Sequence, residues 1–394
     1  MREYFPFFKY SDITYMDSAA TSQALYTVIE DQHEFNLRHR ANAHRSGHSM
    51  GAWVDGIYHE AKHTIAVWLG LDHKTADNII FTSGATQALD DAVRMIGCVY
   101  KRATIFIGKD FHHSLFLPFH QLAADNSFFN IEFIDVDING KLDLVQLTEK
   151  MKSAEGPKII AATAVSNVLG MVNDLVAIKK LAKLHKAVTV IDASQIVGKR
   201  TVNLNGFDFV AFSWHKIYGP TGLGTLIVNN RWMEAEPVRP GGGTVTKVTL
   251  NSANWVTSAA KFEPGTQNLS AIASIPRLVN WLIQYRDDLE EHDKAISELV
   301  KSHITVNQFR PVALSETGLI SLVPVLASPE DYAYMLDAKN IMVRTGKLCA
   351  EPLVSLYNVN GLIRLSWAAY TTSTDVEKTF DVLGEAYARL QKHV

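Results

Sequence analysis

Lys216 follows Ser213, Trp214 and His215 at the end of an apolar run, Phe207 to Phe212, and precedes a turn carrying Gly219, Pro220, Gly222 and Gly224. A lysine held by a tight turn at the end of a buried strand is poorly placed as a solvated charge. It is well placed to form a Schiff base with a carbonyl. Asp192 closes a second apolar run, Val188–Ile191. Ligands of open α/β sheets bind beyond the carboxyl ends of strands, and a carboxylate there can pair with a protonated pyridine nitrogen, which keeps the ring electron-poor. Taken singly, Lys216 reads as a surface lysine and Asp192 as a helix N-cap. Together, on two nearby strand ends, they are what a pyridoxal phosphate site requires.

Other residues fit the same chemistry. Thr82-Ser83-Gly84-Ala85-Thr86 lies between a predicted strand and a predicted helix, where small residues and a helix N-terminus suit a phosphate. His112 and His113 follow the run TIFIG, and a histidine there can lie on a cofactor ring and move protons. No CxxC, HExxH or carboxylate cluster accompanies the pair, so no metal site is expected. Asn167 lies beyond another strand end and can hydrogen-bond a ring hydroxyl. Cys349, in VRTGKLCAEPL, reads as an exposed loop residue whose neighbours Arg344 and Lys347 favour a thiolate. Cys98, near the end of an apolar helix, reads as a small buried hydrophobe. Arg364, on the apolar strand GLIRLSW, suits a bound carboxylate, with a structural ion pair as the alternative.

The elements that position these residues follow from periodicity. Apolar runs predict strands at 78–82, 104–107, 131–134, 158–164, 188–191, 208–212 and 225–228. Helical patterns are expected at 24–40, 51–69, from 86, and at 113–124, 143–152 and 174–186. The alternation predicts an α/β fold, a mostly parallel sheet with helices on both faces. Residues 239–268, rich in Gly, Thr and Asn, read as irregular loops. A single long helix is expected over about 270–302, followed by a smaller α+β unit. The expected division is a large domain at 15–268 and a small one built from 1–14 and 269–394. The chain has 394 residues, a formal net charge of −3 and no Lys/Arg stripe, which argues against nucleic acid or an anionic membrane as partner. Two cysteines make no disulfide framework, and the first residues form no continuous apolar leader. Both readings favour a cytoplasmic setting.

The ordered set YMDSAAT (15–21), NAHRS (42–46), SGAT (83–86), HH (112–113), SNVLG (166–170), VIDASQ (190–195), FSWHKIYGPTGLG (212–224), PGGG (240–243), FEPGTQN (262–268), RTGKLCAEPL (344–353) and IRLS (363–366) resembles the class V aminotransferase family of pyridoxal phosphate (PLP) enzymes. Within it, the match is to the group II cysteine desulfurases and selenocysteine lyases. The resemblance implies fold type I and a homodimer with active sites at its interface. It also implies L-cysteine or selenocysteine as substrate, a protein sulfur acceptor and a place in iron–sulfur cluster assembly. Lys216 would carry the cofactor, Asp192 would pair with the pyridine nitrogen, and Gln195 and Asn167 would reach the ring hydroxyl. His113 would stack on the ring. Ala85, Thr86, Ser213 and His215 would hold the phosphate, with Thr266 from the second subunit. Arg364 would take the substrate carboxylate, with Ala20, His44 and Arg45 beside the substrate, and Cys349 would accept sulfur as a persulfide. Departures from the family pattern are Ser83 for Arg, Ala85 for Thr, Trp214 for Gly and Leu348 for His. A transaminase, an epimerase or a C–S lyase needs the lysine and aspartate without the cysteine. A sulfur-relay subunit that keeps the cofactor for stability is a further, non-catalytic reading.

Overall fold

The computed structural model describes residues 1–43, 47–71, 75, 77–305 and 308–392. After a short strand β1 (Thr14–Tyr15) come two helices, α1 (Tyr26–Arg38) and α2 (Ser49–Trp68). Strands and helices then alternate: β2 (Ile79–Thr82), α3 (Ala85–Val99), β3 (Ala103–Gly108), α4 (His113–Asp125), β4 (Phe129–Ile134), α5 (Leu144–Ser153), β5 (Lys158–Thr163), α6 (Leu175–His185), β6 (Val188–Asp192), β7 (Phe209–Ser213) and β8 (Gly224–Val228). The strands form one seven-stranded sheet in the order β2-β8-β7-β6-β5-β3-β4. Strands β3 to β7 are mutually parallel, and β8 runs antiparallel to both of its neighbours.

Every residue of β6, β7 and β8 is buried, as expected of strands covered on both faces. Strand alternation divides the side chains between two cores. Phe81, Ile191, Val210 and Phe212 pack with Val28, Ile65 and Leu278 on one face. Ile80, Val190, Phe209 and Ala211 pack with Leu89, Ile96 and Leu115 on the other. Cys98, read from sequence as buried, is exposed. The apolar stripe of α3 runs through Leu89, Ala92, Val93 and Ile96, and Cys98 falls on its outer side.

Residues 239–268 are not wholly irregular, because they include an antiparallel hairpin, β9 (Val245–Val248) and β10 (Ala253–Trp255). The expected single helix over 270–302 is three: α7 (Leu269–Ala273), α8 (Ile275–Gln284) and α9 (Arg286–Ser302). Pro276 at the start of α8 has no N–H to continue a ladder from α7, and Tyr285 leaves helical geometry (φ −105°, ψ 19°) before α9 begins. Helices α7 and α8 share the core of the large sheet through Leu269, Ile272, Leu278 and Leu282.

The chain then forms β11 (Phe309–Pro311), β12 (Leu319–Pro324), α10 (Pro329–Asp337), β13 (Ile341–Met342), β14 (Arg344–Gly346), α11 (Glu351–Ser355), β15 (Leu362–Ser366) and α12 (Ser373–Gln391). A four-stranded antiparallel sheet, β11-β12-β15-β14, packs on α9, α10 and α12 through Ile296, Ile320, Tyr332, Ile363, Leu365 and Leu383. Strand β1 pairs with β13, and Asp17 bridges to Ser366 at the end of β15. The N-terminal segment therefore lies between the two sheets. None of the helices described is long and apolar enough to cross a membrane.

A buried ion pair fixes the segment that carries Thr266. Glu263 accepts from Lys62 Nζ on α2 (2.9 Å) and from the Phe81 N–H on β2 (2.7 Å), and both charged side chains are almost wholly enclosed. Removing one partner of such a pair leaves an uncompensated buried charge. Lys62→Met is therefore expected to lower unfolding free energy by about 3–5 kcal/mol, measured by denaturant titration. A loss below about 1 kcal/mol, the range of exposed pairs, would show that the pair is solvated in solution.

Candidate active site

The carboxyl ends of β5, β6 and β7 open on one edge of the large sheet, with Thr163 level with Asp192 and Asp192 level with Ala211. Beyond them lies a cavity of about 490 Å3, lined among others by Asp192, Lys216, His112, Asn167, Cys349 and Arg364. The sequence therefore distributes its reactive residues over two sheets, and the fold returns them to one space. Ala20, Ala85, Thr86, Gln195, Ser213 and His215 also line it. Thr266 does not: it is exposed on the segment after Glu263, outside this chain's own cavity. His44 and Arg45 lie outside the described residues.

Lys216 sits in a short 3-10 turn, Trp214–Lys216, directly after β7. Burial pushes its amine below the ordinary lysine value, while the Asp192 carboxylate pulls the other way. The result is a lysine that gives up its proton more readily than a surface one. Asp192 accepts from the Ser194 N–H through Oδ1 (3.0 Å), which fixes its carboxylate at the cavity floor. Gln195 lines the cavity, but its amide is engaged: Nε2 donates to Ala19 O (2.8 Å) and Oε1 accepts from Lys199 Nζ (3.3 Å).

The histidine doublet divides: the sequence pointed to His113, and in the structure it is His112 that lines the cavity. His112, the N-cap of α4, accepts from the Ser114 N–H through Nδ1 (3.1 Å) and lines the cavity. His113, one residue into the helix, points away to the cysteine loop, where its N–H donates to Cys349 O (2.9 Å) and its Nε2 accepts from the Glu351 N–H (3.4 Å). Successive residues at a helix start project in different directions, so only one of the two faces the cavity. Burial, with Lys216 adding to it, holds His112 down at about 4. It is therefore neutral near pH 7, with its ring proton on Nε2.

A cradle for an anion forms where α3 begins. The Ala85 N–H donates to Ser213 Oγ (2.7 Å), and Thr86 Oγ1 and Ser114 Oγ are 2.8 Å apart. Behind it, a Cβ at Gly224 would come within 2.4 Å of the Gly84 backbone, so only glycine lets β8 approach the cradle this closely. His215, held at about 4 chiefly by burial and then by Lys216, contacts Thr21 Oγ1 through Nδ1 (3.2 Å).

Cys349 and the preceding Leu348 both take left-handed backbone conformations (φ 53° and 56°). Such conformations cost non-glycine residues about 1–3 kcal/mol each and persist only when surroundings impose them. Here Asn167 Nδ2 donates to Leu348 O (2.7 Å) and His113 N–H to Cys349 O, which holds the thiol at an exposed turn. Leu348, where the family pattern has histidine, packs with Val168, Leu169 and Leu353. Trp214, where the pattern has glycine, is fully buried. Its Nε1 donates to Thr225 Oγ1 (2.9 Å) and its ring lies against Trp68 and Phe212, away from the cavity.

Three buried polar atoms of cavity residues have no partner: Asn167 Oδ1, Ser194 Oγ and Arg364 Nε. Buried polar groups ordinarily find partners, so these mark a polar ligand. PLP would answer the first of these through a ring hydroxyl donating to Asn167 Oδ1, and with Asp192 for a pyridine nitrogen and Ser213 and Thr86 for a phosphate the residues present fit it. Sequence reasoning named His112 only as half of the doublet and settled on His113, and it missed Ser114 and Asp17. Asp17 stands at the end of β1, where the strand-end argument used for Asp192 applies equally.

The fold and site define an α/β enzyme class in which a strand-end lysine and aspartate share one cavity. The chain belongs to the class-V aminotransferase family, whose model matches residues 14–379. It is 31% identical over 393 residues, covering 96% of each chain, to a Pyrococcus abyssi protein described as "Probable cysteine desulfurase". An apo structure of a cysteine desulfurase from Thermococcus onnurineus superposes with a TM-score of 0.92 at 29% identity, over 99% of this chain and 98% of that one. The Escherichia coli cysteine desulfurase CsdA shares the fold, with a TM-score of 0.89 at 24% identity over 99% and 98% of the two chains.

Proposed function

We propose that the protein is a PLP-dependent cysteine desulfurase that converts L-cysteine to L-alanine and takes the sulfur onto Cys349. The observation that carries this reading is the single cavity shared by Lys216, Asp192, Arg364 and an exposed thiol, Cys349. When bound, the cofactor supplies an electron sink for bonds broken around the substrate α-carbon. Lys216 would hold it covalently, and its amine, when free, would move a proton at the substrate α-carbon. Asp192 would pair with the ring nitrogen, and neutral His112 would lie against the ring. Ser213, Thr86 and the α3 N-terminus would hold the phosphate. Arg364 receives the α-carboxylate. The Cys349 thiolate attacks the substrate sulfur; an S–S bond forms as the Cβ–S bond breaks, and the carbon fragment keeps that electron pair and takes up a proton as alanine.

The same reading makes the protein a cytoplasmic homodimer in which Thr266 of one subunit completes the phosphate site of the other. The exposure of Thr266 outside its own cavity supports this. A protein sulfur acceptor would dock beside the Cys349 turn, and iron–sulfur cluster assembly is the process served. The test is product analysis of the cofactor-loaded protein with L-cysteine. Alanine in equal amount to transferred sulfur is expected, whereas pyruvate would identify a C–S lyase and overturn the proposal. A rate with selenocysteine far above that with cysteine would reassign the substrate.

A further inference from the structure

Arg344 and Arg364 are direct cross-strand partners on β14 and β15, and both line the cavity. Like charges placed opposite each other destabilise a sheet. The counter-charge comes from the far end of the chain: Asp17, which lies behind the cavity wall. Its Oδ2 accepts from Arg344 Nη2 (2.9 Å) and Nε (3.1 Å), and its Oδ1 accepts from Arg344 Nε and Arg364 Nη2 (both 3.3 Å). Arg364 also donates to Asn167 O through Nη1 (3.1 Å). Exposure rises from 3% for Arg364 through 12% for Asp17 to 49% for Arg344, so the triad runs from the cavity wall to its mouth.

Two guanidiniums against one carboxylate leave a single uncompensated positive charge. One α-carboxylate neutralises it. A second anionic group on the same ligand meets an Arg344 whose charge is already answered by Asp17. We propose that Asp17 is a positioning residue that sets substrate specificity: by holding Arg344 and Arg364 in one ion-paired triad, it matches the cavity to amino acids with a single carboxylate. This rests on the proposed function, in which Arg364 receives that carboxylate. Asp17 touches no substrate and acts only through the two arginines.

The experiment is calorimetric binding of two unreactive acids, propionate and succinate, to the cofactor-loaded protein. In Asp17→Asn, Arg344 is released for a second anion, and the succinate-to-propionate affinity ratio is expected to rise at least tenfold over wild type. In Arg344→Gln, which removes only a half-exposed side chain, the triad becomes neutral. Both acids are then expected to weaken by the same factor, leaving the ratio unchanged. An unchanged ratio in Asp17→Asn overturns the inference. A selective loss of succinate binding in Arg344→Gln also overturns it, because Arg344 would then be a free cation in the wild-type protein, and this variant decides the matter even if Asp17→Asn does not fold. If wild-type protein desulfurates L-cysteine but the ratios fail, only the specificity assignment falls. If it binds neither acid and leaves cysteine unchanged, the proposed function falls with it.

Discussion

Lys216→Ala is expected to abolish covalent cofactor attachment and turnover together. Lost proton transfer alone accounts for a decrease of about 10²–10⁴-fold, and loss of the covalent tether adds to it. The reason lies in where the chain puts this amine. It leaves β7 on a 3-10 turn, is driven toward its neutral form by burial, and shares the cavity with Asp192. Borohydride reduction of the loaded wild-type protein, followed by peptide mapping, should leave the cofactor on Lys216. The informative competitor is Lys199, which burial lowers to about 8 and which hydrogen-bonds to Gln195 in the same cavity wall. An adduct on Lys199, or a Lys216→Ala protein that keeps full turnover, would overturn the assignment.

Cys349→Ser separates sulfur transfer from cofactor binding. Serine keeps the size and the turn but cannot form the S–S bond. Persulfide formation from L-cysteine is therefore expected to vanish, while the visible spectrum of the bound cofactor is retained. The other cysteine supplies the control: Cys98 is exposed on the outer side of α3, away from the cavity residues, and Cys98→Ser should transfer sulfur at the wild-type rate. Sulfide release by Cys349→Ser at the full rate would mean that sulfur leaves without this thiol. The positive φ of both Leu348 and Cys349 adds a second expectation within the same experiment. The turn is held from outside, by Asn167 and His113, so the serine variant should keep its fold.

Local chemistry was legible in the linear sequence because it depends on residues close together in the chain. The buried runs of β6 and β7, and the residues that end them, follow from strand composition alone. So does the small-residue turn before α3, where a bulkier side chain would block the backbone. Periodicity also separated helices from strands through the large sheet. It failed where one residue changes the outcome, as where Pro276 and Tyr285 divide the 270–302 segment into three helices. It failed again at Cys98, where an apolar neighbourhood was mistaken for a buried position; helix phase, not composition, sets which side faces the core.

Which of two adjacent histidines enters the cavity was decided only by the tertiary structure. His112 caps α4 and His113 turns to the cysteine loop, a difference of one residue in direction that composition does not encode. The same holds for Asp17. Nothing near it in the chain announces its two arginines, because the ion pairs span more than three hundred residues and form only when β1 is laid beside the small sheet. The sequence by itself determined the kinds of chemistry available: a strand-end lysine, a strand-end carboxylate, an anion cradle and a thiol in a loop. The tertiary structure decided which of these groups meet and how many charges each must answer, since distances between separate strands, and burial, are set by packing rather than by order along the chain.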